Sequence, residues 1–306
     1  MINLKFETIS PVHISNGLEL SNNLDYVIEG NLLKKLNLFK ISEKLLGLHQ
    51  FSFEKSYSLK EINTIISENI GRFGEEDFIY SVGIDSNMEK LIQSPNTDGQ
   101  SYVKEFINTN GNFYIPASSV KGAILTILHA TKLGIDNAAA DIKDKFVFCD
   151  SSYLDESLFE VIRFDRPPQV NLLCLKKGSQ FEMTIRKKGN FDVSIFKNKL
   201  KKYTTIEIAK AKKSIEKWET EKNKESLGSK FYKNALNSLT EVLNSIKQDE
   251  YLINLGFGGG TFFKIYDNLE TIPKNRKGED IHTTFSSLIE KERFHIGWCK
   301  LKIEEL

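Results

Sequence analysis

Two glycine-bearing bends, far apart in the chain, restrict its fold more than any other feature. The first is Tyr114-Ile115-Pro116-Ala117-Ser118-Ser119-Val120-Lys121-Gly122-Ala123 and the second is Leu255-Gly256-Phe257-Gly258-Gly259-Gly260-Thr261. Each follows a short apolar run that reads as a strand, so the fold must hold one strand-to-helix bend and one strand-to-strand bend. The first bend launches a helix predicted over residues 120–132, with Ser118 and Ser119 at its N-cap. A helix start exposes orphan N–H donors and a partial positive charge. Lys121 in the first turn is unfavourable against that dipole unless an external anion sits nearby. Binding of a polyanion is the reading that accounts for both bends.

The 306 residues, 40% hydrophobic and 27% charged, can bury a large core in one elaborated domain or two. The opening residues lack a charged-then-apolar secretory pattern. The most apolar stretch, residues 123–128, is too short to span a bilayer. Cys149, Cys174 and Cys299 are odd in number, widely separated and without a C-x-x-C pair, which fits a reducing cytoplasm rather than a disulfide or zinc framework. The net charge of +1 does not by itself announce a nucleic-acid binder. Its distribution says more, because residues 197–233 hold twelve lysines against five glutamates, leaving the remainder acidic. That run reads either as a solvated helix face laced with i,i+4 pairs or as a basic surface for RNA or an acidic neighbour.

Periodicity predicts a strand over residues 3–9, a turn at Pro11-Val12-His13-Ile14-Ser15-Asn16-Gly17, and a hairpin of residues 26–28 and 32–36. Two helices follow. The second opens with the capping box Ser58-Leu59-Lys60-Glu61 and carries Leu59, Ile62, Ile66 and Ile70 as one apolar stripe for the core. Asn110-Gly111 closes a further hairpin. Strands are expected at 78–84, 146–149, 159–164, 170–175, 181–185, 251–255, 261–266 and 294–303, with a basic turn at Lys176-Lys177-Gly178. Residues 191–248 are strongly helical. Strands and helices alternating irregularly, with hairpins, indicate an α+β fold with antiparallel sheet rather than a doubly wound parallel one.

Several chemistries fail on spacing. Gly256 and Gly258 begin a G-x-G-x-x-G, but Thr261 replaces the third glycine and a strand follows. No G-K-[ST] occurs, and no G-x-S-x-G nucleophile elbow. His13, His49, His129, His282 and His295 are scattered, so no metal set is indicated, and no cofactor. His13 sits in the turn after the first strand and can be read two ways. It is either a general base toward an RNA 2′-hydroxyl or a histidine whose hydrogen bonds fix the turn. Four glycines in five residues exceed what a tight turn needs, and bare amides there can form an anion nest. Phe257 offers a surface on which a base can stack.

Thr8-Ile9-Ser10-Pro11-Val12-His13-Ile14-Ser15-Asn16-Gly17 resembles the opening of RAMP-superfamily CRISPR proteins. Residues 115–123 resemble their I-P-G-S-S-x-K-G-A segment, residues 256–260 their C-terminal glycine-rich loop, and His295-Ile296-Gly297-Trp298-Cys299-Lys300-Leu301 their closing segment. The order of these segments, with Asp25-Tyr26-Val27-Ile28, is most similar to the Csm subunit of type III-A effector complexes that caps the guide RNA (crRNA) at its 3′ end. The resemblance implies a ferredoxin-like, RNA-recognition-motif-like core in a single RAMP-type domain over residues 1–306, with helical insertions at 37–70 and, lysine-rich, at 191–248. It implies crRNA and neighbouring Csm backbone subunits as partners, target RNA indirectly, and a role in crRNA maturation through a separate host nuclease, with no membrane. The expected RNA contacts are His13, Ser118, Ser119, Lys121, Arg163, Arg166, Gly256, Phe257, Gly258, Gly259 and Gly260, in a non-catalytic subunit. The alternative is a metal-independent RAMP endoribonuclease using His13. Ala117, Leu125 and Ser15 depart from the family pattern, which favours glycine, arginine and glycine there.

Overall fold

A computed structural model describes residues 1–52, 54–84, 102–130, 146–164, 170–188, 193–220, 244–257, 285–288 and 292–305, with side chains left out at 128–130, 164, 207–220, 285–288 and 292–295. The chain divides into two compact units, the first from residues 1–14, 114–154 and 174–306, the second from 15–113 and 155–173. In chain order the elements begin with β1 (Ile2–Thr8), β2 (Ser15–Ser21), β3 (Tyr26–Glu29), β4 (Leu32–Leu36), α1 (Leu38–Gly47) and α2 (Leu59–Asn69). Next come β5 (Phe78–Gly83), β6 (Tyr102–Phe106), β7 (Asn108–Thr109), β8 (Asn112–Phe113), α3 (Ala117–Ala130), β9 (Phe146–Phe148), β10 (Phe159–Phe164) and β11 (Val170–Leu175). The chain closes with β12 (Gln180–Lys187), α4 (Val193–Thr220), β13 (Glu250–Asn254), β14 (Phe285–Leu288), β15 (Glu292–His295) and β16 (Trp298–Glu305).

The first unit is built on a five-stranded sheet in the order β13-β16-β1-β12-β9. Each neighbouring pair is antiparallel. The chain path β1-α3-β9-β12-α4-β16 is a βαββαβ unit, and the strand order β16-β1-β12-β9 is the 4-1-3-2 arrangement of a ferredoxin-like sheet. β13 is an extra edge strand beyond β16. Alternation makes the two faces: Ile2, Leu4 and Phe6 of β1 are buried, while Asn3, Lys5 and Glu7 point the other way. Phe6 stacks on Phe181 at 4.6 Å, and Leu4 lies opposite both Met183 and Ile303. Each such burial stabilises by about 1.5–3 kcal/mol.

The outward face of this sheet is an ion-pair ladder. Lys5 lies 2.8 Å from Glu304 and 3.9 Å from Glu182, Lys300 lies 3.0 Å from Glu7, and Lys302 lies 3.5 Å from Asp249. Exposed pairs of this kind contribute at most about 1 kcal/mol each. The exposed outward positions of β1, β12 and β16 carry no aromatic ring, so this face lacks the stacking platform that a base-reading sheet uses.

The second unit holds a mixed sheet in the order β2-β6-β11-β10-β5-β4-β3, in which β6–β11 and β5–β10 are parallel. Helices α1 and α2 cover it through Ile41, Leu45 and Ile66, which pack with Val27 and Leu36. The capping box at α2 forms as the sequence predicts: the Glu61 amide donates to Ser58 Oγ at 3.3 Å, and the Ser58 amide donates to Glu61 Oε2 at 2.8 Å. Leu59, expected in the apolar stripe, is instead 67% exposed, because the stripe turns away from the core in the first helical turn. Asn110 and Gly111 adopt positive φ and join β7 to β8 as a tight hairpin.

Candidate nucleic-acid interface

In the first unit, three separate sequence segments meet just beyond the end of β1. The Ile9 amide donates to the Trp298 carbonyl at 2.8 Å, and the Trp298 amide donates to Ser10 Oγ at 2.9 Å. The Gly297 amide donates to the Pro11 carbonyl, and the Leu255 amide to the Gly297 carbonyl, both at 2.7 Å. The Phe257 amide closes the set on the His13 carbonyl at 2.7 Å. Close passage of three backbones is why glycine stands at two of these positions. Gly256 has φ +70°, and a Cβ there would lie 2.1 Å from the His13 carbonyl oxygen. Gly297 has φ +90°, and its Cβ would lie 2.6 Å from the Leu255 carbonyl oxygen. The turn of residues 8–13 is also tied to the basic turn, since the Gly178 amide donates to the Thr8 carbonyl at 2.7 Å and Val12 bridges Leu175.

This knot positions the entry to the glycine-rich bend. The Phe257 amide is engaged by His13, so any anion nest begins beyond it, at Gly258, Gly259 and Gly260, which lie outside the described residues. Phe257 is 38% exposed, and its ring meets the His13 ring in a T-shaped arrangement at 6.1 Å between centroids. His13 itself is fully buried.

The serine bend is organised differently from its sequence reading. α3 begins at Ala117 rather than Val120, so Ser118 and Ser119 lie inside its first turn and not at the cap. The Ala117 amide donates to Asp150 Oδ1 at 2.6 Å, and the Ile115 amide to Ser151 Oγ at 2.8 Å. Residues just after β9 thus staple the bend and set a carboxylate at the helix start. That carboxylate offsets Lys121 against the dipole, a part the sequence reading gave to an external anion. Nothing local in the sequence links Asp150 to Ala117, and only the sheet brings them together. Ser118 is exposed, and Ser119 and Lys121 are half-buried in the same turn.

Both bends belong to the first unit, but they leave opposite edges of its sheet. The serine bend is held beside β9 and the glycine bend follows β13, four strand spacings away. At about 4.8 Å per spacing that is roughly 19 Å, the span of several nucleotides rather than one phosphate. Arg163 lies in the second unit on β10 and is only 8% exposed, and Arg166 lies outside the described residues. Among the described residues no group of three or more His, Cys, Asp or Glu is arranged for a metal ion, and no helix is long and apolar enough to cross a membrane.

Comparison with known proteins adds an independent line. The family model described as RAMPs, the RAMP superfamily, matches residues 5–296. The chain is 25% identical over 337 residues to the "CRISPR system Cms protein Csm5" of Methanocaldococcus jannaschii, covering 93% of this chain and 76% of that protein. It superposes on a chain of a cryo-EM structure of a Csm-crRNA-target RNA ternary complex in a type III-A CRISPR-Cas system. There the TM-score is 0.63 and the identity 16%, over 99% of this chain and 100% of that one. The crystal structure of T. onnurineus Csm5 superposes with a TM-score of 0.57 and 14% identity, over 96% and 99% of the two chains. These superpositions speak for the fold.

Proposed function

Because this chain belongs to the RAMP superfamily, we propose that it is a crRNA-binding subunit of a type III-A CRISPR ribonucleoprotein, a Csm complex of the cytoplasm. In this reading it caps the crRNA at its 3′ end beside a neighbouring backbone subunit and meets target RNA only through the guide. It assists maturation by recruiting a nuclease rather than by cutting RNA. Likeness to a Csm5 over most of both chains supports the assignment to that subunit. The observation that carries the mode of binding is the backbone knot of residues 9–13, 255–257 and 296–298. It joins three of the family-like segments just beyond the end of β1 and fixes the point at which the glycine bend begins. RNA passes along that end, with its phosphates on Ser118, Ser119 and Lys121 and its backbone close to residues 256–260, where missing side chains let it approach.

The rival reading makes His13 a general base. Its complete burial and the use of its backbone carbonyl by Phe257 support a structural part instead, because a base must come within hydrogen-bond reach of the proton it removes. The test is incubation of the purified chain with end-labelled crRNA, with and without EDTA. The expected result is bound, intact RNA in both. Cleavage that disappears in His13→Asn contradicts the proposal. Co-expression with sister subunits and a guide should yield crRNAs that stay untrimmed at the 3′ end when this chain is omitted.

A further inference from the structure

Charge is divided unequally between the two units. The first carries 31 Lys and Arg against 23 Asp and Glu, a net of +8, whereas the second carries 11 against 18, a net of −7. The near-neutral total conceals two modules of opposite sign. Among the described residues, five cations of the second unit are moreover committed to carboxylates of that unit. Lys34 lies 2.7 Å from Glu29 and 2.8 Å from Glu75, Lys35 lies 2.5 Å from Glu105, Lys44 lies 2.5 Å from Asp77, Lys55 lies 3.3 Å from Glu61, and Lys104 lies 2.7 Å from Glu19. Carboxylates remain outward: the side chains of Glu75 and Glu76 are 80% and 66% exposed.

From this division we infer that the nucleic-acid contacts of this chain are confined to the first unit and that the second unit excludes RNA. The inference rests on the proposed RNA binding and adds where it can and cannot occur. A phosphate strand gains affinity by replacing its counterions with protein cations. On the second unit a strand approaching any of these five would first have to displace a carboxylate, and the unit's net negative charge repels phosphate. The first unit offers exposed Lys177, Arg186, Lys188 and Lys202 instead. Arg163, 8% exposed within the acidic unit, belongs to packing and not to the RNA path.

The test uses the full-length chain and a single-stranded crRNA carrying 4-thiouridine at successive positions, cross-linked by light and mapped by mass spectrometry. Adducts are expected in residues 1–14, 114–154 or 174–306 only. Two variants accompany it, each checked by thermal unfolding. Replacing Lys177, Arg186, Lys188 and Lys202 together by Gln should weaken binding at least tenfold at physiological salt and flatten the salt dependence, by roughly 0.7 log units per lost phosphate contact. Replacing Lys40, Lys60 and Arg72 of the second unit by Gln should leave affinity within twofold. Adducts in residues 15–113 or 155–173, or an equal loss in the second variant, overturn this inference alone. A wild-type chain that neither binds nor cross-links RNA overturns the proposed function with it.

Discussion

Gly256→Ala puts the backbone knot to its most direct stability test. At φ +70° an alanine carries the left-handed penalty of about 1–2 kcal/mol. Its Cβ would also lie 2.1 Å from the His13 carbonyl oxygen and 2.9 Å from Ile14 Cγ1. The first of these is backbone held by the Phe257 amide, so it cannot swing aside as a flexible side chain would. Relief requires the two segments to part, at an overpacking cost of about 1–3 kcal/mol and with loss of a hydrogen bond contributing about 1 kcal/mol. The total is about 4 kcal/mol. For a unit of this size it lowers the melting temperature by roughly 10 °C. Thermal unfolding by circular dichroism reads the loss, and hydrogen exchange at the Phe257 amide locates it. A variant melting within 2 °C of the wild type, with that amide still protected, refutes the reasoning.

Gly122→Ala is the opposite case: the glycine is exposed within α3, nothing lies within 4 Å of an added Cβ, and the stability to unfolding should rise by about 1 kcal/mol through helix propensity. Should the RNA backbone pass close to that turn, the same variant binds crRNA several-fold more weakly, as a filter-binding titration would register. Burial pushes the Glu105 carboxyl up, but hydrogen bonds from Lys35, Asn16 and Tyr80 and the charge of Lys35 prevail and hold it below its ordinary 4.5. Its contribution to stability is therefore complete above that value and is lost as pH falls through the lowered one, so urea midpoints should decline on acidification below about pH 4.5. Lys35→Met strands the buried carboxylate and costs about 3–5 kcal/mol at neutral pH, a cost that protonation relieves, so the acid-side decline should shrink, whereas an unchanged acid profile excludes the ion pair as its source. In the helical layer Ile66→Ala should cost about 2–5 kcal/mol and Leu59→Ala almost nothing, a contrast that urea unfolding resolves.

Local signals carried the elements well. The Ser58 capping box, the Asn110-Gly111 hairpin and the alternation of β1 each rest on neighbouring residues whose propensities agree with the final fold. Legibility fails where distant segments supply the partner. The sequence predicts a turn through Gly17, but Ser15–Ser21 is a strand, because β6 offers an edge and Asn16 donates to the buried Glu105 across it at 2.6 Å. The expected last strand over 294–303 is broken at Gly297, whose positive φ lets Leu255 pass. The helix start moves to Ala117 because Asp150, far along the chain, accepts its amide. The glycine bend stood out from composition alone, whereas its bond to the His13 turn follows from the antiparallel pairing of β13, β16 and β1 and leaves no mark in either segment.

Salt dependence of crRNA binding by the purified chain probes the core of this account. The logarithm of the affinity should fall linearly with the logarithm of the salt concentration, with a slope set by several phosphates and the RNA recovered intact. Lys121→Ala should flatten that slope by roughly 0.7 in a variant that thermal unfolding shows to be folded. Binding that ignores salt, or a Lys121→Ala variant indistinguishable from the wild type, contradicts a phosphate path along this end of the sheet.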